Sequence, residues 1–486
     1  MAAADQVSAL VPVREGDYGD RVMAVEPGGV EYIPLAERHG SPLDLFWTWV
    51  SPNMEFATVF VGVLGVTVFG GSLLSVILAI IVGSALGSLT HGVLSSMGPR
   101  YGVPQMVEGR GAFGFWGNLL PSILNFFTAS IGWFIVNSVS GAFALMALFS
   151  MPFGLFWLAF LIVVVAQVAV AFFGHNLVHA FERYAFWPLV IIFGLATIFT
   201  LTNTHFVGFN PKAPVAFGGD FGAFMVTAAI AFGYAAGWNP YASDYTRYQR
   251  PDVNRRMVGF WAGFGVFISC VALEIMGAGL ATVAGTSWGP KDIPTAQMVH
   301  AMPGIIYTLT LAAIVVGAVA ANVLNIYSGA MSFLTIGLNL SLHQRRAIVA
   351  AVSGVVGLAI GILFQANVGP GSNYENFLLV IAYWIAPWLG VVLTDYWMRR
   401  GNFGDERVFY DRSWNTWKGV VAMAVAGIVS IYVFADQTAY LGPFAKNNPQ
   451  FGDLTFLVGF VLAGILYFAF HGGKITAART TEEAVA

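Results

Sequence analysis

The stretch AFGYAAGWNPYASDYTRY, from Ala231 to Tyr248, decides the fold, because it continues an apolar run and then interrupts it. The residues before it, FGAFMVTAAI, have the composition of a membrane helix. Gly237, Asn239 and Pro240 follow within one turn, and each weakens a helix. Polar backbone groups left unpaired at membrane depth are tolerated only inside protein or along a cavity. The stretch predicts a broken helix at a ligand site; the alternative is a helix that ends at Gly237 and exits as a loop.

The composition predicts an all-α integral membrane protein. Hydrophobic residues make up 57% of the 486 positions and charged residues only 10%, whereas soluble domains carry about 25% charged residues. The net charge of −3 gives no reason to expect a nucleic-acid partner. Cys270 is the single cysteine, so no internal disulfide is expected.

Hydropathy divides the chain into twelve predicted spans. They are Phe46–Gly70, Leu73–Met97, Asn118–Leu148, Leu155–Phe173, Phe186–Leu201, Phe221–Asp244, Val258–Ala284, Ile305–Gly337, Ala347–Phe364, Tyr374–Trp397, Trp417–Ala435 and Leu454–Phe470. With the amino terminus inside, all of the 22 basic residues except Lys212, Lys291 and Lys446 fall on the cytoplasmic side. This distribution predicts a multi-pass protein of the plasma (inner) membrane with both termini in the cytoplasm.

The spans suggest an internal repeat of opposite topology. A cytoplasmic segment, 1–44, precedes a first repeat at 45–203 and an inverted second repeat at 221–397. Two further spans at 414–471 and a cytoplasmic tail at 472–486 complete the chain. The lead span of each repeat is rich in helix breakers, and the first contains VGVLGVTVFGG, with Gly62, Gly65, Gly70 and Gly71. Interrupted spans at matching places indicate the central site of a secondary transporter.

Four motifs carry a family resemblance. They are VEYIPLAERHGSPLDLFWTWVSPN, LTHGVLSSMGPRYGVPQMVEGRGAFGFWGN, IGWFIVNSVSGAFAL and ASDYTRY. Together they resemble the nucleobase–cation symporter family, most closely its purine–cytosine permease branch. The resemblance implies a LeuT-type five-plus-five inverted repeat with broken helices 1 and 6 and two extra helices. It also implies a substrate site between spans one, three, six and eight, and transport by alternating access.

The same resemblance implies which side chains bind the substrate. In GWFIVN, Trp133 matches the tryptophan that stacks on the substrate ring, and Asn137 lies one turn later on the same helix face. In AANVLNIYS, Asn322 matches the amide that faces the substrate, and Asn325 is close to the same face. A planar heterocycle needs a π-face and amides that both donate and accept. The alternatives are an interfacial tryptophan and helix–helix hydrogen bonds.

In the sixth span, Gly233 and Tyr234 are similar to a Gly-aromatic pair of the family. Trp238 competes with Tyr234 for the stacking role, because the alignment is ambiguous by about one helical turn. The hypothesis is that Trp133 and Tyr234 sandwich the substrate between their rings.

The coupling ion is predicted to be H⁺ rather than Na⁺. Sodium-coupled relatives use hydroxyls of the eighth span, where this chain has Val316, Gly317 and Ala318, and hard cations require oxygen ligands. Glu274 lies deep in an apolar run and is the first candidate for a proton carrier. Glu55 is the second candidate, against the alternative of an interfacial residue. His91 is a weaker candidate, because a structural histidine explains it as well.

Charged residues at the ends of the spans are expected to be structural. Asp244 and Arg247 are expected to form an ion pair at the end of the sixth span, although an inner gate is an alternative. Asp395 is expected to be a boundary residue beside Arg399 and Arg400.

The sequence therefore predicts a secondary transporter that imports a nucleobase or related planar heterocycle by cation symport. It contains no CxxC, HExxH or phosphate-loop motif, so no cofactor, no metal and no enzyme activity are expected. The alternatives are an importer of amino acids on the same fold, a channel and an intramembrane enzyme. The choice among cytosine, purines, uracil and hydantoins, and the oligomeric state, stay open at this stage.

Overall fold

A computed structural model describes residues 11–14, 18–22, 26–206, 219–284, 293–337, 354–355, 359, 373–402, 404 and 406–473. The helices that build the bundle are α1 (Asp44–Val50), α2 (Phe56–Thr67), α3 (Leu73–Ser95), α4 (Leu119–Phe127), α5 (Phe134–Leu148), α6 (Phe156–Ala171), α7 (His175–Asn203), α8 (Asp220–Ala236), α9 (Ala242–Thr246), α10 (Arg255–Ala284), α11 (Gly304–Thr335), α12 (Asn373–Met398), α13 (Lys418–Phe434) and α14 (Thr455–Phe470).

The helices reproduce most of the predicted spans. Eight helical segments are long and apolar enough to cross a membrane, and the bent pair α1–α2 makes nine within the described ranges. The shorter apolar helices α13 and α14 fall on the predicted eleventh and twelfth spans. The predicted ninth span, Ala347–Phe364, lies outside the described residues. The fifth span starts earlier than predicted, since α7 begins at His175 and includes Pro188.

The first span breaks between α1 and α2, whose axes differ by 58°. Pro52 has no backbone N–H to donate and lies in the 3₁₀ turn Ser51–Asn53. Glu55 then caps α2, because its Oε2 accepts from the Ala57 N–H at 2.8 Å. The break is therefore at residues 51–55, and its assignment to the glycines at 62–71 was wrong.

Within this glycine-rich stretch, Gly62 serves close packing instead. A Cβ on Gly62 would come within 1.7 Å of the Glu274 carbonyl oxygen, and a Cβ on Gly277 within 1.7 Å of the Val59 carbonyl oxygen. Real Cβ atoms do not approach backbone oxygens so closely, so only glycine lets α2 and α10 touch at these two levels. The half of the first span that follows the break is thereby held against the seventh span.

The sixth span is interrupted where the sequence predicts. Gly237 and Trp238 form a turn after α8, the 3₁₀ turn Asn239–Tyr241 follows, and α9 completes the span. The interruption bends the chain less than in the first span, which alone bends by more than 40° among the described spans. Residues 239–246 are helical or 3₁₀ and buried, so they do not form an exit loop.

One end of the bundle is covered by the amino-terminal segment, which Glu26 fixes in place. Arg14 Nη1 and Arg247 Nη2 lie 3.5 and 3.4 Å from Glu26 Oε1. The Tyr327 hydroxyl donates to the same oxygen at 3.2 Å, and the Tyr248 hydroxyl also binds it. All five side chains are buried. This Glu26 cluster joins the amino-terminal segment to the end of the sixth span and to α11.

Candidate substrate-binding site

Trp133 is positioned by a π turn in the third span. Residues Thr128–Trp133 form this turn between α4 and α5, and π turns are frequent at functional sites. The Trp133 ring meets Tyr234 at a centroid distance of 5.2 Å and Phe377 at 5.2 Å, both nearly perpendicular. Trp133 and Tyr234 are thus neighbours, as the sandwich hypothesis requires, but they stand edge to face in this conformation.

Tyr234 connects this aromatic group to the break of the first span. Its hydroxyl donates to Glu55 Oε1 at 3.2 Å and lies 2.5 Å from the Thr58 hydroxyl. Thr58 in turn donates to the Asn53 carbonyl at 2.6 Å. All four residues are buried. The broken first span therefore presents a carboxyl and a hydroxyl to the aromatic ring of the sixth span.

Trp238 lies at the same break, although it does not face Trp133. Its indole Nε1 donates to the Asn53 side-chain oxygen at 2.9 Å, while Asn53 Nδ2 donates to the Trp49 carbonyl at 2.8 Å. The Trp238 ring also contacts the Trp49 ring, with centroids 5.8 Å apart. Of the two candidates for stacking in the sixth span, Tyr234 is the one that touches Trp133.

Three asparagines predicted for the site form one amide cluster. Asn322 Oδ1 accepts from Asn137 Nδ2 at 3.1 Å and from Asn325 Nδ2 at 3.2 Å. Asn322 Nδ2 donates to the Phe134 carbonyl at 2.8 Å and to Ser138 at 3.0 Å. Asn322 therefore satisfies its own amide through α5 and through Asn325 on its own helix. The Oδ1 atoms of Asn137 and Asn325 are buried and accept no hydrogen bond from the described residues.

Sequence reasoning missed several polar residues that support these groups. Ser138 donates to Gln167 Oε1 at 2.9 Å, and Gln167 Nε2 donates to the Ala318 carbonyl at 3.1 Å, which ties α5, α6 and α11 together. Gln167 is the single strongly polar residue of α6 and could have been singled out for that reason. Asn53, within SPN, could have been identified as the break itself.

Gly233 and Glu274 lie apart from the aromatic and amide groups. A Cβ on Gly233 would come within 2.4 Å of the Leu378 carbonyl oxygen, so Gly233 packs against α12. Glu274 Oε2 accepts from the Ser84 hydroxyl at 3.0 Å, and its Oε1 has no hydrogen-bond partner among the described residues. His91 is buried against Trp49, with ring centroids 4.2 Å apart. The structure therefore brings Glu55, rather than Glu274, to the ring pair.

The expected Asp244–Arg247 ion pair at the end of the sixth span is wrong. Arg247 pairs with Glu26, whereas Asp244 Oδ1 accepts from the Gln105 N–H at 2.9 Å, and both side chains are buried rather than interfacial. Positions 244 and 247 are one turn apart and could pair on one helix face, but Glu26 binds Arg247 and the Gln105 N–H binds Asp244 instead. Asp395 does pair with the predicted Arg399, at 2.9 Å.

Comparison with known proteins agrees with this architecture. Residues 32–459 match the family described as permeases for cytosine/purines, uracil, thiamine and allantoin. The chain belongs to this permease family. It is 28% identical to the purine-cytosine permease fcyB of Emericella nidulans over 497 residues, covering 96% of this chain and 94% of the relative. It is 26% identical to FCY2 of Saccharomyces cerevisiae over 473 residues, covering 91% and 85%.

A solved transporter structure has the same fold as this chain. Mhp1, a nucleobase-cation-symport-1 family transporter with bound bromovinylhydantoin, superposes with a TM-score of 0.68 at 19% identity, over 90% of this chain and 92% of Mhp1. The predicted family and the LeuT-type inverted-repeat fold are both confirmed. Family membership also confirms a multi-pass membrane transporter rather than an enzyme.

Proposed function

We propose that this permease imports a nucleobase or closely related planar heterocycle by H⁺ symport and alternating access, with both termini in the cytoplasm. The observation that carries the proposal is the convergence of Trp133, Tyr234 and the amide cluster beside the broken first span. Aromatic faces suit a flat ring, and the open Oδ1 atoms of Asn137 and Asn325 suit ring N–H donors. The named relatives are purine-cytosine permeases, which supports this substrate class.

The ring is proposed to enter between Trp133 and Tyr234, which now touch edge to face. Separating the two rings would free the Tyr234 hydroxyl from Glu55 and Thr58. Substrate binding would thus be coupled directly to the Glu55 carboxyl and to the position of α2, which Glu55 caps. This linkage makes Glu55 the first candidate for the coupling proton, and Glu274 the second.

The contact between α11 and the first-span break supports H⁺ over Na⁺. A Cβ on Gly317 would come within 1.9 Å of the Met54 carbonyl oxygen, so the two backbones are in direct contact. Val316, Gly317 and Ala318 offer no side-chain oxygen. A cation at this level would have to separate the two backbones and would find no hydroxyl on α11.

Radiolabelled uptake tests the proposal. Proteoliposomes should concentrate a labelled purine or cytosine when the lumen is alkaline relative to the bath, with or without Na⁺. A competition panel of purines, cytosine, uracil, hydantoins and amino acids then ranks the substrates. Glu55→Gln should keep exchange of substrate across the membrane but lose accumulation driven by the pH gradient, and Glu274→Gln tests the second carboxyl.

Strict dependence on Na⁺ with no response to pH would reject H⁺ coupling. Competition by amino acids alone would reject the substrate class. Flux that does not saturate and never exceeds equilibrium would indicate a channel.

A further inference from the structure

A groove on the outside of the bundle lies between α3 and α10, away from the substrate site. It has a volume of about 1030 Å³. The groove exists because the two helices touch at glycines: a Cβ on Gly92 would come within 2.7 Å of the Gly259 carbonyl oxygen, and one on Gly259 within 2.5 Å of the Gly92 carbonyl oxygen. With no side chains along this contact line, the neighbouring side chains form walls on both sides of it.

The walls of the groove carry apolar side chains that are exposed on the outside of the bundle. Leu89 and Val93 line it from α3, and Phe260 and Phe264 line it from α10. All four side chains are exposed, at 69%, 39%, 53% and 37% respectively. The Phe260 and Phe264 rings stack on each other at 5.6 Å with an interplanar angle of 7°. This wall is a flat apolar surface against which an acyl chain can pack.

The mouth of the groove is cationic. Arg255 and Arg256 line it at the first turn of α10, the end that the distribution of basic residues predicts to be cytoplasmic. Neither arginine has an ion-pair partner among the described residues, whereas neighbouring Arg250 pairs with Asp252 at 3.1 Å. The amino-terminal end of a 30-residue helix adds further positive potential at the same place.

We propose that this groove binds an anionic phospholipid, with its phosphate at Arg255 and Arg256 and an acyl chain along the phenylalanine wall. The assignment rests on charge complementarity at the mouth combined with an apolar wall beside it. A free phosphate would use only the mouth, and a zwitterionic lipid would gain little from two arginines. Basic pockets between membrane helices on the cytoplasmic side bind anionic headgroups in this way. The proposal is independent of the transported substrate.

Binding to the purified, delipidated full-length protein tests the site. Phosphatidylglycerol, phosphatidylcholine and glycerol 3-phosphate are titrated separately, with native mass spectrometry to count bound molecules and thermal unfolding to follow stabilisation. Each arginine near an anionic surface contributes about 1 kcal/mol, so Arg255→Gln/Arg256→Gln should weaken phosphatidylglycerol binding about 30-fold. Arg183→Gln/Lys418→Gln removes two exposed basic groups elsewhere and should bind like the wild type.

The outcomes separate the alternatives. Preference of the wild type for phosphatidylglycerol, lost only in the Arg255/Arg256 double variant, supports the site. Equal binding by both double variants, equal binding of phosphatidylcholine, or full stabilisation by glycerol 3-phosphate would each overturn it. Should the double variant not fold, Arg256→Gln alone replaces an exposed residue and should lose about fivefold in affinity.

Discussion

The Tyr234 hydroxyl on α8 donates to Glu55 Oε1 across 3.2 Å, and this contact joins the interruption of the sixth span to the break of the first. The two spans lead the two inverted repeats, so one hydrogen bond crosses between them. The Tyr234 ring also touches Trp133, which belongs to the third span. If substrate displaced the Tyr234 ring, the hydrogen bond to the Glu55 carboxyl, which caps α2, would therefore change.

Tyr234→Phe tests this linkage, because it removes the hydroxyl and keeps the ring. We expect substrate affinity to change by less than about threefold, because the ring that stacks on the substrate is kept. The lost Tyr234–Glu55 hydrogen bond, worth about 1–2 kcal/mol, links the two spans and does not contact the substrate. The pH dependence of uptake should shift, because Glu55 loses a donor. Uptake rates measured from pH 5 to 8 check this. Thr58→Val is the control for loss of a neighbouring hydroxyl, and an unchanged pH profile in Tyr234→Phe would contradict the linkage.

Trp133→Ala should raise the substrate concentration for half-maximal uptake about tenfold, because stacking of a base on an aromatic ring contributes about 1–3 kcal/mol. Trp133→Phe keeps a ring and should fall between this variant and the wild type. Trp187→Ala removes a tryptophan that is 61% exposed and should transport normally. Competition assays with unlabelled substrate measure all three, and equal affinity in Trp133→Ala would remove Trp133 from the site.

The sequence predicted most of the described spans and the interrupted sixth span, because apolar length and a Gly-Asn-Pro turn are local signals. It misplaced the break of the first span, since the glycines at 62–71 look like breakers until Glu274 and Val59 are seen pressed against Gly62 and Gly277. Glycine in a membrane helix can either interrupt the helix or allow close packing against another helix, and only its neighbours in the structure distinguish the two roles.

The partners of the polar residues were also hidden from the sequence. Arg247 pairs with Glu26 across 221 positions of the chain rather than with nearby Asp244, and Asn322 bonds Asn137 across 185 positions. The π turn that ends at Trp133 has no marker in TASIGW. Residue types and helix faces therefore indicated several groups that the structure brings together, such as Trp133 with Tyr234 and Asn137 with Asn322, while the other hydrogen-bond partners required the structure.

Gly62→Ala should lower the free energy of unfolding by about 1–3 kcal/mol, because its methyl group would be forced against the Glu274 carbonyl and push α2 away from α10. Gly194→Ala is the matched control, since a Cβ there meets nothing within 4 Å and the residue lies within α7. Thermal unfolding in detergent compares the two variants. Equal stability would show that the α2–α10 contact is not as tight as described.

Glu26→Gln should loosen the cover over one end of the bundle, because Arg14 and Arg247 lose the charge that both of them share. Removing one partner of a buried ion pair costs about 3–5 kcal/mol. The readout is maleimide labelling of Ser51→Cys, at the first-span break, in a Cys270→Ser background; Cys270 is the single cysteine. Labelling should be faster in Glu26→Gln. Asp252→Asn removes one partner of an exposed ion pair and should not change the labelling rate. An unchanged labelling rate in Glu26→Gln would show that the Glu26 cluster does not hold the cover in place.

Asp436→Asn should flatten the pH dependence of stability. Asp436 lies in the connection between α13 and α14, where burial, and then the nearby Asp453 carboxyl, raise its pKa to about 7. An aspartate in the unfolded chain has a pKa of about 3.9. Between these two values the folded protein holds a proton that the unfolded chain has lost, so stability falls as pH rises from about 4 to 7 and levels off above 7.

Asparagine at position 436 stays neutral at every pH and removes this contribution. The melting temperature of the wild type should therefore fall between pH 5 and pH 7, and that of Asp436→Asn should fall less over the same range. Gln437→Ala replaces a neutral neighbour in the same connection and should keep the wild-type slope. Parallel slopes for all three proteins would show that Asp436 titrates alike in the folded and unfolded states.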